Sequence, residues 1–115
     1  MDPTAKLEYD DIRARAIGRA DNDDDVQGIN ASIELIRRTR GSSWPTEPVS
    51  VDFDYVDEIW HECEFREGGS FTYAVYDSRG QYPGCCYLYP MGRRTPPTKE
   101  LLTYDVDVSW WVTHA

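Results

Sequence analysis

At Gly68-Gly69 the apolar period of this chain changes from 3.6 to 2, and that switch dictates helices before it and strands after it. Upstream, Val26, Ile29, Ile33 and Ile36 recur at steps of three and four, marking one face of a helix from about Asp24 to Arg40. Asp23 or Asp24 stands where an N-cap belongs, and acidic residues there suit the helix dipole. Arg37, Arg38 and Arg40 fall in the last turn, with Gly41 placed to close it. The segment from Ser42 to Pro48 carries two prolines and polar residues, so it reads as a loop. A second helix is expected over Asp52 to Glu67, with Phe53, Val56, Trp60 and Cys63 on one stripe and Ile59 beside them. That stripe predicts Trp60 inside.

Downstream, Phe71, Tyr73 and Val75 alternate with Thr72, Ala74 and Tyr76, which is a strand. Asp77-Ser78-Arg79-Gly80 is turn chemistry, and Tyr82 to Tyr89 reads as the returning strand of an antiparallel hairpin. A connection from Gly92 to Thr103 follows, with a helical turn expected at Thr98 to Leu102. The third strand is Tyr104 to Val112. It places Tyr104, Val106, Val108, Trp110 and Val112 on one face, and Asp105, Asp107, Ser109 and Trp111 on the other. Residues 1–23 give a weaker signal: Leu7, Ile12, Ala16 and Ile17 mark either a short helix or a mobile lead-in.

A chain of 115 residues has room for one small domain. Four Trp, eight Tyr and three Phe point to a well-filled core or an aromatic-lined groove. The net charge of −9 opposes phosphate backbones, so nucleic acid is not an expected partner. Acid concentrates at Asp21 to Asp25 and from Asp52 to Glu67; base gathers at Arg37, Arg38 and Arg40 and at Arg93 and Arg94. No apolar run approaches the ~20 residues of a membrane helix. The opening Met1-Asp2-Pro3-Thr4 lacks the basic patch and apolar stretch of a secretory signal. Three cysteines, two of them adjacent, make no disulfide framework, so a reducing, cytoplasmic setting is expected. Nor do they make a zinc site. His61 and Cys63 diverge on a helix, and Cys85 and Cys86 point to opposite faces of a strand.

The order helix, helix, strand, turn, strand, long loop, strand resembles the opening of the GNAT N-acetyltransferase fold. Val106-Asp107-Val108-Ser109-Trp110-Trp111-Val112 is similar to the fourth strand of the branch that acetylates ribosomal-protein alanines, typically Ala-Glu-Ile-Gly-Tyr-Trp-Leu. Gly84-Cys85-Cys86-Tyr87-Leu88-Tyr89-Pro90 likewise resembles a third strand that begins at glycine and ends near proline. The resemblance implies an α+β, GNAT-like partial domain over residues 24–115, with two helices on a three-stranded antiparallel sheet. It implies acetyl transfer from acetyl-CoA to a small-molecule primary amine. Asp107 takes the place of the strand-four acid that serves some members as general base. Asp105 lies two residues earlier on the same expected strand face, and the paired acids would attract a cationic amine. Trp111 and Val112 take the place of the strand-four backbone that hydrogen-bonds the pantetheine arm. In the family a loop of the form Arg/Gln-x-x-Gly-x-Gly/Ala follows this strand and binds the pyrophosphate through its amides. No such loop occurs in these 115 residues. Weak or absent acetyl-CoA binding is therefore expected of this chain. The rival expectation is an interaction module that self-associates through its uncovered last strand.

Overall fold

The computed structural model describes residues 6–40, 43–93 and 98–112. The expected helix closer Gly41, the basic residue Arg94 and the extreme N-terminus lie outside them. The described residues form three α-helices and one five-stranded antiparallel sheet in the order β1-β2-β3-β4-β5, which runs in sequence order across the sheet. The two-helix, three-strand expectation is therefore corrected on both counts.

The extra strands come from the N-terminal stretch. Strands β1 (Lys6–Tyr9) and β2 (Ile12–Ala16) form a hairpin, turned by Asp10 at φ 56°. Asp tolerates that left-handed conformation better than most residues. Strand β2 then pairs with β3, setting Ala14 opposite Val75 and Ala16 opposite Tyr73. The residues that imitate a helix at Leu7, Ile12 and Ala16 also alternate with period two along Ile12-Arg13-Ala14-Arg15-Ala16, and sheet pairing decides between the two patterns.

The first expected helix is broken in two at Ser32. Helix α1 (Asn22–Ala31) packs on α3, whereas α2 (Ile33–Arg40) packs on β5, and one straight rod could not reach both. Each half delivers one isoleucine to the core, Ile29 and Ile36. Helix α3 (Val51–Glu67) has clear ends: the Ser50 hydroxyl accepts from the Phe53 amide, and Gly68 at φ 78° provides the left-handed stop.

Its inner face is the larger surprise. Phe53, Val56 and Trp60 are exposed, Trp60 to 64%, while Asp54 and Glu58 are completely buried. The expected apolar stripe faces outward. The stripe that faces inward is Asp54, Glu58 and His61, polar residues spaced at helical steps.

Strands β3 (Phe71–Tyr76) and β4 (Gly84–Pro90) make the expected hairpin, its turn held by the Asp77 carboxylate, which accepts from the Arg79 and Gln81 amides. The connection after β4 holds a short 3-10 turn at Leu101–Thr103, close to the expected one. Strand β5 (Val106–Val112) lies on β4 so closely that a Cβ at Gly84 would stand 1.9 Å from the Trp111 carbonyl oxygen. Only glycine fits there. The helices cover one sheet face, over a core of Ile17, Ile29, Ile36, Ala74, Cys85, Tyr87 and Trp111. On β5 the alternation is as expected, with Ser109 and Trp111 buried and Val106, Val108, Trp110 and Val112 exposed. Among the described residues no helix is long and apolar enough to cross a membrane.

Candidate functional site

Strand pairing assembles a row of polar and aromatic side chains under the helices. Cys85 lies opposite Trp111, Tyr87 opposite Ser109 and Tyr89 opposite Asp107, so these six share the helix-covered face. Tyr87 is buried, and its hydroxyl accepts from the Trp111 indole N–H at 2.8 Å. Burial pushes the Tyr87 phenol well above its usual range, so it remains a neutral hydroxyl. The Cys85 thiol is pushed up for the same reason, which makes it a poor nucleophile.

The helices complete the walls. Arg40, in the last turn of α2, lays its guanidinium over the Tyr87 ring at 3.6 Å from the centroid and donates from Nε to the Ser109 hydroxyl at 3.2 Å. Helix α3 contributes His61, whose Nε2 lies 3.2 Å from Asp57 Oδ2 and whose Nδ1 lies 3.1 Å from the Thr72 hydroxyl. The ring is thus held from both nitrogens, by the carboxylate on one side and the hydroxyl on the other. Together Arg40, Trp44, Asp57, His61, Tyr87 and Tyr89 line a cleft of about 220 Å³. It offers an acid–imidazole pair, a cation and aromatic faces within one small volume.

Of the residues singled out in the sequence, Asp107 is half-buried and stands opposite Tyr89, on the cleft side of β5. Asp105 does not share that strand face, because the strand begins one residue later, at Val106. It precedes β5, is exposed, and its carbonyl accepts from the Met91 amide at 2.9 Å. The Trp111 side chain is fully buried and belongs to the core, whereas Val112 is exposed at the end of the strand. Both sit on the edge strand, where alternate backbone N–H and C=O groups face outward. Four residues of the cleft carry no such role in the sequence reading. Arg40 reads in the sequence as a dipole partner and Tyr87 as a plain strand residue. The Asp57–His61 pair has the one available signal, its spacing of four on a helix.

No family model and no curated protein matches this sequence. Solved structures do match its fold. A ribosomal-protein-S5-alanine acetyltransferase from Vibrio fischeri superposes with a TM-score of 0.61 at 10% identity, covering 96% of this chain and 56% of that one. A structure described as a putative ribosomal-protein-serine acetyltransferase from Vibrio cholerae gives 0.63 at 12% identity, over 98% and 57%. A ribosomal L7/L12 α-N-protein acetyltransferase in complex with coenzyme A gives 0.63 at 10% identity, over 93% and 55%. The chain spans a little over half the length of each. Across nearly all of its own length, it has the fold of GNAT-type ribosomal-protein acetyltransferases.

Proposed function

We propose that this chain carries part of an acetyl-CoA-dependent N-acetyltransferase that acts on a small primary amine. The observation that carries this reading is the superposition of 93–98% of the chain on three acetyltransferases, one of them in complex with coenzyme A. The position of Asp107 supports it. Half-buried on the cleft side of β5, this carboxylate can take a proton from an ammonium group or from a water held on it, leaving the amine free to attack a thioester carbonyl. Asp105, exposed at the entrance to the strand, supplies negative charge for the approaching amine rather than a proton acceptor. Edge-strand backbone at Trp111 and Val112 suits an extended amide-bearing arm such as pantetheine, which pairs as an added strand would. For the diphosphate end the described residues offer no glycine-rich helix start.

Two consequences follow for acetyl-CoA. The 115-residue chain should bind it with a Kd of about 1 mM or weaker, and acetyl-pantetheine should bind about as well. In amide NMR spectra, millimolar acetyl-CoA should shift the signals of Ser109 to Val112 before others. Nanomolar calorimetric binding would reveal a phosphate site in this chain and refute the weak-binding expectation. An unchanged β5 under saturating acetyl-CoA would remove the acetyltransferase reading.

A second reading, self-association, rests on the far side of the same strand. Val106, Val108, Trp110 and Val112 are each about half exposed, on a strand whose outer edge pairs with nothing among the described residues. Two copies pairing edge to edge would build one continuous sheet across a two-fold axis. A concentration-dependent mass above the monomer is expected by light scattering, with Trp110→Lys shifting it toward the monomer by placing like charges in the join. A monomeric mass at every concentration would sink this reading.

A further inference from the structure

The α1–α3 seam closes over three acids that take no part in the cleft. Asp25 from α1 and Asp54 and Glu58 from α3 each offer an oxygen, and these atoms lie within 4.8 Å of one another. Their exposures are 3%, 0% and 0%.

Buried acids elsewhere in the chain are satisfied. Asp21 is equally buried, yet it accepts from Arg15 at 2.6 Å, from the Tyr76 hydroxyl at 2.6 Å and from the Gly18 amide at 2.9 Å. Asp25 accepts from the Tyr82 hydroxyl at 2.7 Å. By contrast, both oxygens of Asp54 and both of Glu58 find no donor, and the polar side chain they meet is Asp25, another acid. None of the three acids forms an ion pair with Arg, Lys or His among the described residues. A fifth orphan belongs to the same seam. Asn22 is 7% exposed, stands one turn before Asp25 on α1, donates its amide to the Val51 carbonyl of α3, and leaves its Oδ1 unpartnered.

Buried carboxylates without donors or counter-charges are expensive, and native proteins pair them or give them a metal. An all-oxygen set carrying three carboxylates suits a hard divalent cation rather than zinc or copper. We propose that the α1–α3 seam is a structural site for a hard divalent cation of the Mn²⁺, Mg²⁺ or Ca²⁺ class, held by Asp25, Asp54 and Glu58 with Asn22 Oδ1 as a further ligand. The site is closed to solvent, so the ion clamps helices and does not meet substrate. It fixes α1 against α3, and through the Asp25–Tyr82 bond it reaches the Tyr82 ring, which packs edge-on against Trp111 at 6.2 Å between centroids.

The competing occupant is the proton. Protonated Asp54 and Glu58 could each donate to Asp25 and fill the seam without an ion. The experiment strips the full 115-residue chain with EDTA and titrates it with MnCl2, following the loss of the free Mn²⁺ signal by electron paramagnetic resonance. Thermal unfolding is recorded in parallel with MnCl2, MgCl2 and CaCl2. One bound equivalent and a rise in Tm are expected for the wild type. Glu58→Gln should keep its fold, because a neutral amide replaces a buried acid, but should bind Mn²⁺ at least about tenfold more weakly and lose the Tm response. Asp54→Asn is the second variant should Glu58→Gln fold poorly. A wild type that takes up no stoichiometric ion and shows no Tm response would overturn the proposal and assign the seam to shared protons. Equal binding and equal Tm response in wild type and variant would also overturn it, because the ion would then sit on exposed acids such as Asp23 and Asp24.

Discussion

Trp111→Ala is expected to cost about 3–5 kcal/mol of folding stability, whereas Trp60→Ala should stay within about 0.5 kcal/mol of wild type. Trp111 is the largest fully buried side chain among the described residues. Its ring lies under α1 so tightly that a Cβ at Gly28 would stand 3.1 Å from its Cη2, and its N–H holds the Tyr87 hydroxyl. Truncation therefore leaves a cavity beneath α1 and removes the donor to a buried phenol. Trp60 is 64% exposed and has no such duties. This reverses what the α3 sequence predicts, because its apolar stripe looks outward. The check is urea unfolding of both variants. Equal losses would mean that α3 is rotated about its axis relative to this structure.

Three of the five strands, β3, β4 and β5, are legible because their signal is local, whereas β1 and β2 are not, because Leu7, Ile12 and Ala16 also fit a helix and only pairing with β3 decides. Alternation from Phe71 to Tyr76 and from Val106 to Val112, with Asp77 and Gly80 in the turn between β3 and β4, needs no knowledge of distant partners. The helical half is legible in extent but not in orientation. Val51–Glu67 forms as a helix close to the expected bounds because Ser50 and Gly68 cap it locally. Which face turns inward is set by what lies opposite, and here that is Asp25, Thr72 and Tyr87 rather than an apolar surface. The break at Ser32 is likewise tertiary. Nothing in the Val26, Ile29, Ile33, Ile36 spacing announces that the two halves pack on different elements.

The sites divide in the same way. Asp107 is legible from its place in a strand, but the cleft is lined from α2, α3, β4 and the loop at Trp44, and apart from the spacing of four between Asp57 and His61 no spacing rule links those elements. In the sequence the acids of the α1–α3 seam look like solvated charge, since Asp21 to Asp25 and Asp52 to Glu67 are dense acidic runs of the kind that normally face water. Within those runs, Asp54 and Glu58 share one face at a spacing of four, and Asn22 and Asp25 share another at three. A polar stripe opposite an apolar one has two solutions, and the stripe alone does not choose between them.

In ion-free protein, stability should fall steeply as pH rises through neutrality. Burial is the largest cause that raises Asp54 from 3.8 to about 9 and Glu58 from 4.5 to about 11, and the neighbouring Asp25 and Asp57 add to it. The other titratable groups at the seam, Tyr82 and Cys85, are also pushed up and stay neutral through this range. The folded state therefore keeps two protons that the unfolded chain has released above about pH 5. A state that binds more protons when folded loses stability as protons become scarce. The contribution is full below the unfolded values near 4, declines across the interval up to 9, and is gone once pH passes the folded value of about 11. Each group supplies a slope of up to about 1.4 kcal/mol per pH unit. Both together bound the loss between about pH 5.5 and pH 7.5 at roughly 5 kcal/mol, a large share of the stability of a domain this size. Urea unfolding in EDTA at those two pH values should show a lower midpoint at the higher pH, and Glu58→Gln should roughly halve the difference. A midpoint that is flat or rises with pH would show that Asp54 and Glu58 are ionised in the folded chain. The α1–α3 seam would then need a cationic partner from these residues or from a bound ion.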